Sequence, residues 1–482
     1  MDEWVKRLLA FKDEHELWQE GDCIVAAVSG GPDSMVMLHL LHTVSGMERL
    51  RLVAAHVDHG FRGQESADES KLVRAFAAKL GIPFESVTLD MPSFIEATGM
   101  NSQQASRMKR YEFLHATAER HGASCIALAH HADDQAETVL MRLLRGTGIG
   151  GLAGIPVKRR DKNVELIRPL LRINKAELVS YAALHSIPYA IDSSNEKRDY
   201  WRNELRMDVL PYLEQHNPQL STSLNRLAEI ASAEDQWMQD ETRRAFDRWV
   251  TCSPGSFCEL QRADLASLPL ALQRRLIKLI LNYLSMETAG LTPGDKADFE
   301  RIEAIRHAAL ATSPATWQTD AGGGIRFYRE YDRLRWGIGE PHSRKSSWPP
   351  YAYTIEAMDD VLDVPEGGLS FRLTNAVTAA DERGRYGADF DADQLLFPLT
   401  VRNRRPGDRM SVVGLNGTKK VQDMFVDLKI PPSERDRMPL LVDAAGRVLW
   451  IPGARRSAIA LTDAGTTNIL RIQAVPRTMN IE

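Results

Sequence analysis

Short apolar β-type runs alternate with longer segments of helical period from Cys23 to about Ile191. The runs Cys23–Val28, Leu52–Val57, Phe84–Leu89 and Cys125–Ala129 have strand length, whereas Ala67–Leu80 and Gln104–Arg120 repeat apolar residues every three or four positions. Apolar strands separated by helical segments predict an α/β fold with a parallel sheet covered on both faces. Ligands in such sheets sit at the carboxyl ends of the strands. Near Pro211 the alternation stops. From Leu220 to about Leu284 the chain is rich in helix formers, with Leu224, Leu227, Ile230 and Ala231 at helical spacing, and predicts a small helical domain. Ile325–Tyr328 and Leu334–Ile338 predict a short hairpin, and the Pro-, Ser- and base-rich stretch from Pro341 predicts a linker. The expected division is 1–212 for the parallel-sheet domain, 213–340 for a mainly helical domain, 341–353 for the linker and 354–482 for a mixed α/β domain.

The length of 482 residues exceeds one ordinary core, and 43% hydrophobic with 26% charged residues is a globular composition. The N-terminus lacks an apolar h-region and no apolar stretch is long enough to span a bilayer, so a cytoplasmic protein without membrane contact is expected. Cys23, Cys125, Cys252 and Cys258 form no C-x-x-C pair, and the reading is neither a disulfide framework nor a zinc site. A net charge of −5 does not by itself suggest nucleic acid, which directs attention to local charge.

The first strand ends in Ser29-Gly30-Gly31-Pro32-Asp33-Ser34 and an apolar helix follows. Glycines admit close approach of an anion, Pro32 suits a first helical turn, and free N–H groups at the helix start make a phosphate site. No lysine follows the glycines, which separates this loop from the G-x-x-x-x-G-K-[ST] loop of γ-phosphate transfer. The second strand runs into His56-Val57-Asp58-His59-Gly60-Phe61-Arg62, a polar strand end in which Asp58 is suited to nucleotide or Mg²⁺ and Arg62 to phosphate; a three-ligand metal cluster would need the chain to bend. The fourth ends in His130-His131-Ala132-Asp133-Asp134-Gln135-Ala136-Glu137, where Asp134 and Glu137 share a helix face. That pair serves equally as a cap or as a seat and base for an ammonium group. Arg202 and Arg206, four apart after Asp192-Ser193-Ser194-Asn195, need an anion or an acid between them: either a phosphate clamp or a structural pairing with Asp192 or Glu204. Arg107, Lys109 and Arg110 offer further phosphate contacts, and Arg402, Arg404, Arg405, Arg409, Lys419 and Lys420 form a basic patch in the last domain.

The loop resembles the pyrophosphate-binding loop of the N-type ATP pyrophosphatases, or PP-loop superfamily, which implies AMP-forming chemistry. Taken in order, S-G-G-P-D-S, H-V-D-H-G-F-R, H-H-x-D-D-Q-x-E-T, R-G-T-G-I-G-G-L-x-G-I, D-S-S-N-x-x-x-x-Y-x-R-N-x-x-R, and R-x-R-x-x-G-D-R followed by G-T-K-K resemble the tRNA(Ile)-lysidine synthetase family over nearly the whole chain. Phe61 stands where Leu is usual, and Met410–Gly414 lacks a proline usual before that glycine. The resemblance implies ATP and Mg²⁺ as co-substrate and no tightly bound cofactor. It implies ATP contacts at Ser29, Gly30, Gly31, Pro32, Asp33, Ser34, His56 and Arg62, with Asp33 and Asp58 facing Mg²⁺. Asp58, Asp134, Glu137, Arg202 and Arg206 are then catalytic, and His131, Asp134 and Glu137 hold free lysine. The partner is tRNA(Ile) with a CAU anticodon, contacted by Arg107, Arg110, Arg402, Arg404, Arg409, Lys419 and Lys420, with a homodimer as one assembly. Three alternatives are a tRNA sulfurtransferase, disfavoured by the missing paired cysteines, an amide ligase such as an NAD synthetase, disfavoured by the large C-terminal half, and a catalytically idle tRNA-binding module.

Overall fold

The computed structural model describes residues 2–61, 63–190, 201–253, 255–287, 299–338, 349–355, 361–376, 384–412 and 417–476. The chain forms two compact units, Met1–Gln239 and Asp240–Glu482.

In the first unit, β1 (Cys23–Ala27), β2 (Arg51–Asp58), β3 (Phe84–Thr88), β4 (Cys125–Ala127), β5 (Lys158–Asp161) and β6 (Val164–Ile167) form one sheet in the order β3-β2-β1-β4-β6-β5. All neighbours are parallel except the edge hairpin β5–β6. That hairpin was not expected, because Lys-Arg-Arg-Asp carries no apolar run. Helices α1 (Glu3–His15), α2 (Pro32–Glu48), α3 (Gln64–Lys79), α4 (Ser102–His121), α5 (Ala132–Leu144), α6 (Lys175–Leu184) and α7 (Leu220–Trp249) accompany it, and α7 runs past Gln239 into the second unit. Ile24, Ala26 and Val28 bury against Met35, Leu38 and Leu41 of α2, whereas Val25, Val53 and Ile126 bury against Leu114 and Ala118 of α4. Alternate residues of β1, β2, β4 and β6 therefore enter opposite cores, which is why β1 and β4 are apolar throughout.

Helix α2 also carries His39, whose Nδ1 lies 2.9 Å from the Tyr181 hydroxyl, with the His185 ring 5.3 Å away. Burial, and then His185 and His42, hold the His39 pKa down to about 4. The unfolded chain takes this proton first, so its contribution is complete above about pH 6.5 and is lost as pH falls towards about 4. The full shift corresponds to roughly 3 kcal/mol, reduced to about 2 by partial exposure. Urea titrations should show His39→Gln losing less stability than the parent protein between neutral and mildly acidic pH; equal losses would contradict the assignment.

In the second unit, β7 (Thr251–Ser253), β8 (Phe257–Gln261), β9 (Thr316–Gly322), β10 (Ile325–Glu330) and β11 (Arg333–Ile338) form an antiparallel sheet in the order β7-β8-β11-β10-β9. Helices Leu270–Glu287 and Phe299–Leu310 pack on it. The expected hairpin is β10–β11, with Phe327 opposite Trp336. The mainly helical expectation for 213–340 thus needs a sheet added. Its outer strands are short or polar, as in Thr-Trp-Gln-Thr-Asp-Ala-Gly, and left no apolar alternation to read. The cysteine reading also needs correction: Cys252 and Cys258 are register partners across β7 and β8 and form a disulfide. Spacing along the chain did not reveal the pair because the hairpin, not a C-x-x-C turn, brings it together.

Residues 341–348 of the expected linker lie outside the described residues. Its end is not linker: Tyr351 is buried and Ala352–Ile355 pairs with Leu399–Arg402, because Tyr351-Ala352-Tyr353-Thr354-Ile355 alternates as a strand. That strand belongs to a five-stranded sheet whose spatial order continues through Leu440–Val442, Val448–Ile451 and Arg455–Arg456. A four-stranded sheet of Val361–Val364, Leu369–Ala376, Ile469–Pro476 and Gly387–Asp391 shares its core through Phe371, Phe390 and Trp450. No helix among the described residues is long and apolar enough to cross a membrane.

Candidate active site

The Ser29–Ser34 turn leaves the carboxyl end of β1 with Gly30 at φ +99°, a conformation that side-chain-bearing residues resist. Ser34 Oγ accepts the Ser29 N–H at 3.1 Å and donates to the Gly31 carbonyl at 3.0 Å, so the hydroxyl ties the turn shut. Pro32 opens α2 and no side chain caps that helix, so its first N–H groups face the mouth of the loop. Beneath the loop, His56 is buried, its Nδ1 2.8 Å from the Val28 carbonyl and its Nε2 without a protein partner. Burial holds the His56 imidazole below its ordinary pKa. It braces the end of β1, and its ring does not reach the surface. Asp58 Oδ1 accepts the Gly60 N–H at 2.8 Å, closing its own turn. Arg62, with the Asp192–Asn195 cluster and Tyr200, lies outside the described residues.

The acidic strand end after β4 opens α5, with His131 as its N-cap and Asp134 accepting the His131 N–H at 3.1 Å. Asp134 therefore does cap the helix, and it does more. Arg202 donates to Asp134 at 3.0 Å and to Glu137 at 2.8 Å; Arg206 donates to Glu137 at 2.5 and 3.1 Å and to Asp134 at 3.3 Å. Glu137 with Asp134 supplies the acid needed between the two arginines, while Asp192 lies outside the described residues. Burial would raise the Asp134 pKa, but His131, Arg202 and His130 outweigh it and keep the carboxyl ionised below its ordinary range.

An apolar seam holds this network. Ala136, Val139 and Leu140 of α5 pack on Leu205 and Leu210 and on Leu224 and Ala228 of α7. The sequence pattern ended the arginine-bearing helix at Pro211; it continues to His216. Pro211 has no N–H to donate, and the ladder widens into a π turn over Leu205–Val209 in which the Leu210 N–H reaches the Leu205 carbonyl. Arg206 rides on that turn.

The loop and the acidic edge meet through His131, whose Nε2 lies 3.7 Å from Asp33 and 3.4 Å from Asp134. Lys175, absent from the sequence reading, completes the site: its Nζ donates to both Asp33 oxygens at 2.5 and 2.7 Å. Asn174-Lys175-Ala176-Glu177 reads as a capping box, which it is, and such a motif carries no sign of where its second residue reaches. Arg107 packs on the Tyr111 ring. Arg110 lies beside the Tyr111 ring, and burial, then Arg107, depresses its guanidinium; burial, and then the charge of Arg110, lowers the His59 imidazole. The free cysteines, Cys23 and Cys125, begin their strands at the opposite end of the sheet, and burial pushes the Cys125 thiol up to about 11.

No group of three or more His, Cys, Asp or Glu side chains is arranged to hold a metal among the described residues. A Mg²⁺ ion arriving on ATP needs only one or two protein carboxylates. Asp33, partly exposed at the loop, fits that demand, and Asp58 accepts the Gly60 N–H through one carboxylate oxygen, Oδ1.

The basic patch divides in two. Arg409 and Lys420 are exposed, Lys419 is paired with Asp427, and Arg404 is paired with Asp436. Arg402, expected at the surface, is buried in a bidentate pair with Asp408 at 2.8 Å and 2.8 Å. A buried guanidinium needs a carboxylate partner, and Asp408, six residues on in the loop after the strand, supplies one.

Two family profiles match the chain, one described as a PP-loop domain at residues 2–213 and one as a TilS substrate C-terminal domain at 399–474. The tRNA(Ile)-lysidine synthase of Bacillus subtilis (strain 168) is 33% identical over 461 residues, 94% of either chain. That of Geobacillus kaustophilus (strain HTA426) is 34% identical over 474 residues, covering 97% of this chain and 98% of its own. That of Bacillus cereus (strain ATCC 14579) is 34% identical over 465 residues, 96% and 94% of the two chains. Similarity of this extent, running through both profiles, makes the chain a member of the tRNA(Ile)-lysidine synthase family.

Proposed function

We propose that this chain uses ATP to join free L-lysine to C2 of the wobble cytidine of CAU-anticodon tRNA(Ile), converting a codon reading of AUG to AUA. The supporting observation is the continuity from the Ser29–Ser34 loop through Asp33 and His131 to the Asp134, Glu137, Arg202 and Arg206 network. It sets a phosphate cradle beside paired acids and bases.

The cytidine O2 attacks the α-phosphorus, and the bond to the bridging oxygen breaks with its electrons leaving on pyrophosphate. The lysine ε-amine then bonds to C2, the C2–O bond breaks, AMP leaves with that oxygen, and the amine gives up a proton. Asp33 would hold Mg²⁺, which would supply charge neutralisation at the phosphates. Lysine offers a carboxylate and two ammonium groups, and the four-residue network offers cations and anions to match. Asp134, kept ionised, orients an ammonium. A single-stranded anticodon base can be splayed into a site at an open sheet edge. Arg107, Arg110, Arg404, Arg409, Lys419 and Lys420 are assigned to tRNA phosphates, with Arg402 serving structure instead. A domain division at 1–212, 213–340 and a last domain that takes in the strand Ala352–Ile355, a cytoplasmic location and a homodimer belong to the same reading.

Incubation with ATP, labelled lysine and tRNA(Ile) transcript should place lysine in the RNA with AMP and pyrophosphate released. AMP formation without lysine in the RNA would refute the reading. Sulfur transfer is disfavoured because neither free cysteine lies at the loop end of the sheet.

A further inference from the structure

The phosphate loop contains no lysine, and the helix behind it supplies none in its first turn. The tertiary fold brings one there from elsewhere. Lys175, the first residue of α6, reaches Asp33 across 142 residues of sequence, and its backbone N–H lies 3.4 Å from Asp133 Oδ1. An ammonium group has three donors. Two of them go to Asp33, and among the described residues no other acceptor takes the third. The side chain is 38% exposed, so a ligand at the loop can reach it.

The surrounding charge points the same way. Asp33 is faced by the Lys175 ammonium and by His131 at 3.7 Å, and it lies within the field of Arg206. Arg206 is already matched by Glu137 and Asp134, so the ammonium of Lys175 is the cation that a triphosphate beside Asp33 would meet. The carboxylate keeps lone pairs beyond the two that Lys175 uses, so holding the ammonium does not bar it from Mg²⁺.

We propose that Lys175 is the phosphate-binding lysine of this site, presented by Asp33 so that its third donor holds the β- and γ-phosphate oxygens of ATP and then the departing pyrophosphate. It does in space what the lysine of a G-x-x-x-x-G-K-[ST] loop does in sequence. The negative charge released when the bond from the α-phosphorus to the bridging oxygen breaks accumulates on the group that Lys175 touches. This inference rests on the ATP-using reading above and adds a residue to it.

The test is direct binding of inorganic pyrophosphate, with magnesium present, to the full-length protein by calorimetry. Loss of one charge-assisted contact should weaken binding by about tenfold to hundredfold in Lys175→Met. Lys175→Arg should recover most of it, and lysine binding should be unchanged in both. A lysine that only steadied Asp33 would lower the melting temperature and leave pyrophosphate affinity intact, which would overturn the proposal. Should Lys175→Met fail to fold, acetylation footprinting of the unaltered protein decides: pyrophosphate is expected to protect Lys175 from an amine-acetylating reagent, and unchanged labelling would overturn it. If the unaltered protein makes lysidine while Lys175→Met binds pyrophosphate normally, this inference alone fails. If the unaltered protein binds no pyrophosphate, the ATP-using reading falls with it.

Discussion

Replacing Glu137 by glutamine is expected to abolish lysine transfer while leaving pyrophosphate release on mixing ATP with tRNA largely intact. The Glu137 side chain is only 1% exposed and takes hydrogen bonds from Arg202 and from two nitrogens of Arg206. Without its charge, both guanidiniums fall back on Asp134 alone, and the carboxylate that should orient an ammonium is consumed in balancing them. Loss of that orientation, together with displaced arginines, corresponds to a fall of about 10³-fold or more in transfer. Glu137→Ala should add a stability loss of about 2 kcal/mol, below the usual cost of breaking a buried pair because both arginines are partly in water. The Ser29–Ser34 loop makes no contact with Glu137 among its hydrogen bonds, so the first half-reaction should survive. Labelled-lysine incorporation measured beside pyrophosphate release separates the two steps. A Glu137→Gln protein transferring lysine at the parent rate would remove this residue from the site.

Arg402→Ala should cost about 3–5 kcal/mol of stability, because Asp408 is then left buried with no counter-charge. The side chains of the pair are 7% and 12% exposed, and Asp408 also accepts the Arg405 N–H at 2.7 Å. Burial would push the Asp408 carboxyl up, but Arg402 and that N–H hold it below its ordinary range. This contribution is therefore present above about pH 4 and lost as acid protonates the pair. Exchanging both partners together, Arg402→Met with Asp408→Leu, should recover most of the loss, since no unpaired charge remains. Arg409→Ala and Lys420→Ala should do the opposite. Each is expected to leave the melting temperature unchanged, weaken tRNA binding and flatten its salt dependence by about one unit of slope. Chemical denaturation and salt-dependent binding on the four proteins would distinguish a structural arginine from phosphate contacts. An Arg402→Ala protein of full stability and weakened tRNA affinity would return Arg402 to the surface.

Much of the fold was legible because each core strand has two buried faces. Ile24, Val25 and Ala26 enter opposite cores and so appear as an unbroken run. Where a strand has an exposed face or lies at an edge, as in β5 and β9, the run is mixed and the element went unseen. The helix through Pro211 was misread for a related reason. Proline usually stops a helix, yet here a π turn absorbs the missing donor while Leu205 and Leu210 stay packed against α5 and α7.

By itself the sequence determined the pieces whose geometry is short-range. These are the glycine turn at Ser29–Ser34, the capped start of α5, the placing of Asp134 and Glu137 on one helix face, and the order of motifs that marks the family. Only the tertiary structure decided which charges meet. Glu137 takes Arg202 and Arg206 from 65 and 69 residues away, Asp33 takes Lys175 from 142, and Arg402 turns inward to Asp408 although its motif looks like a phosphate contact. Turns, caps and periodicity follow from neighbouring dihedrals and spacing. Ion pairs between distant segments depend on strand order and helix packing, which bring particular charges out of water together, and a linear pattern of residue types does not encode those distances.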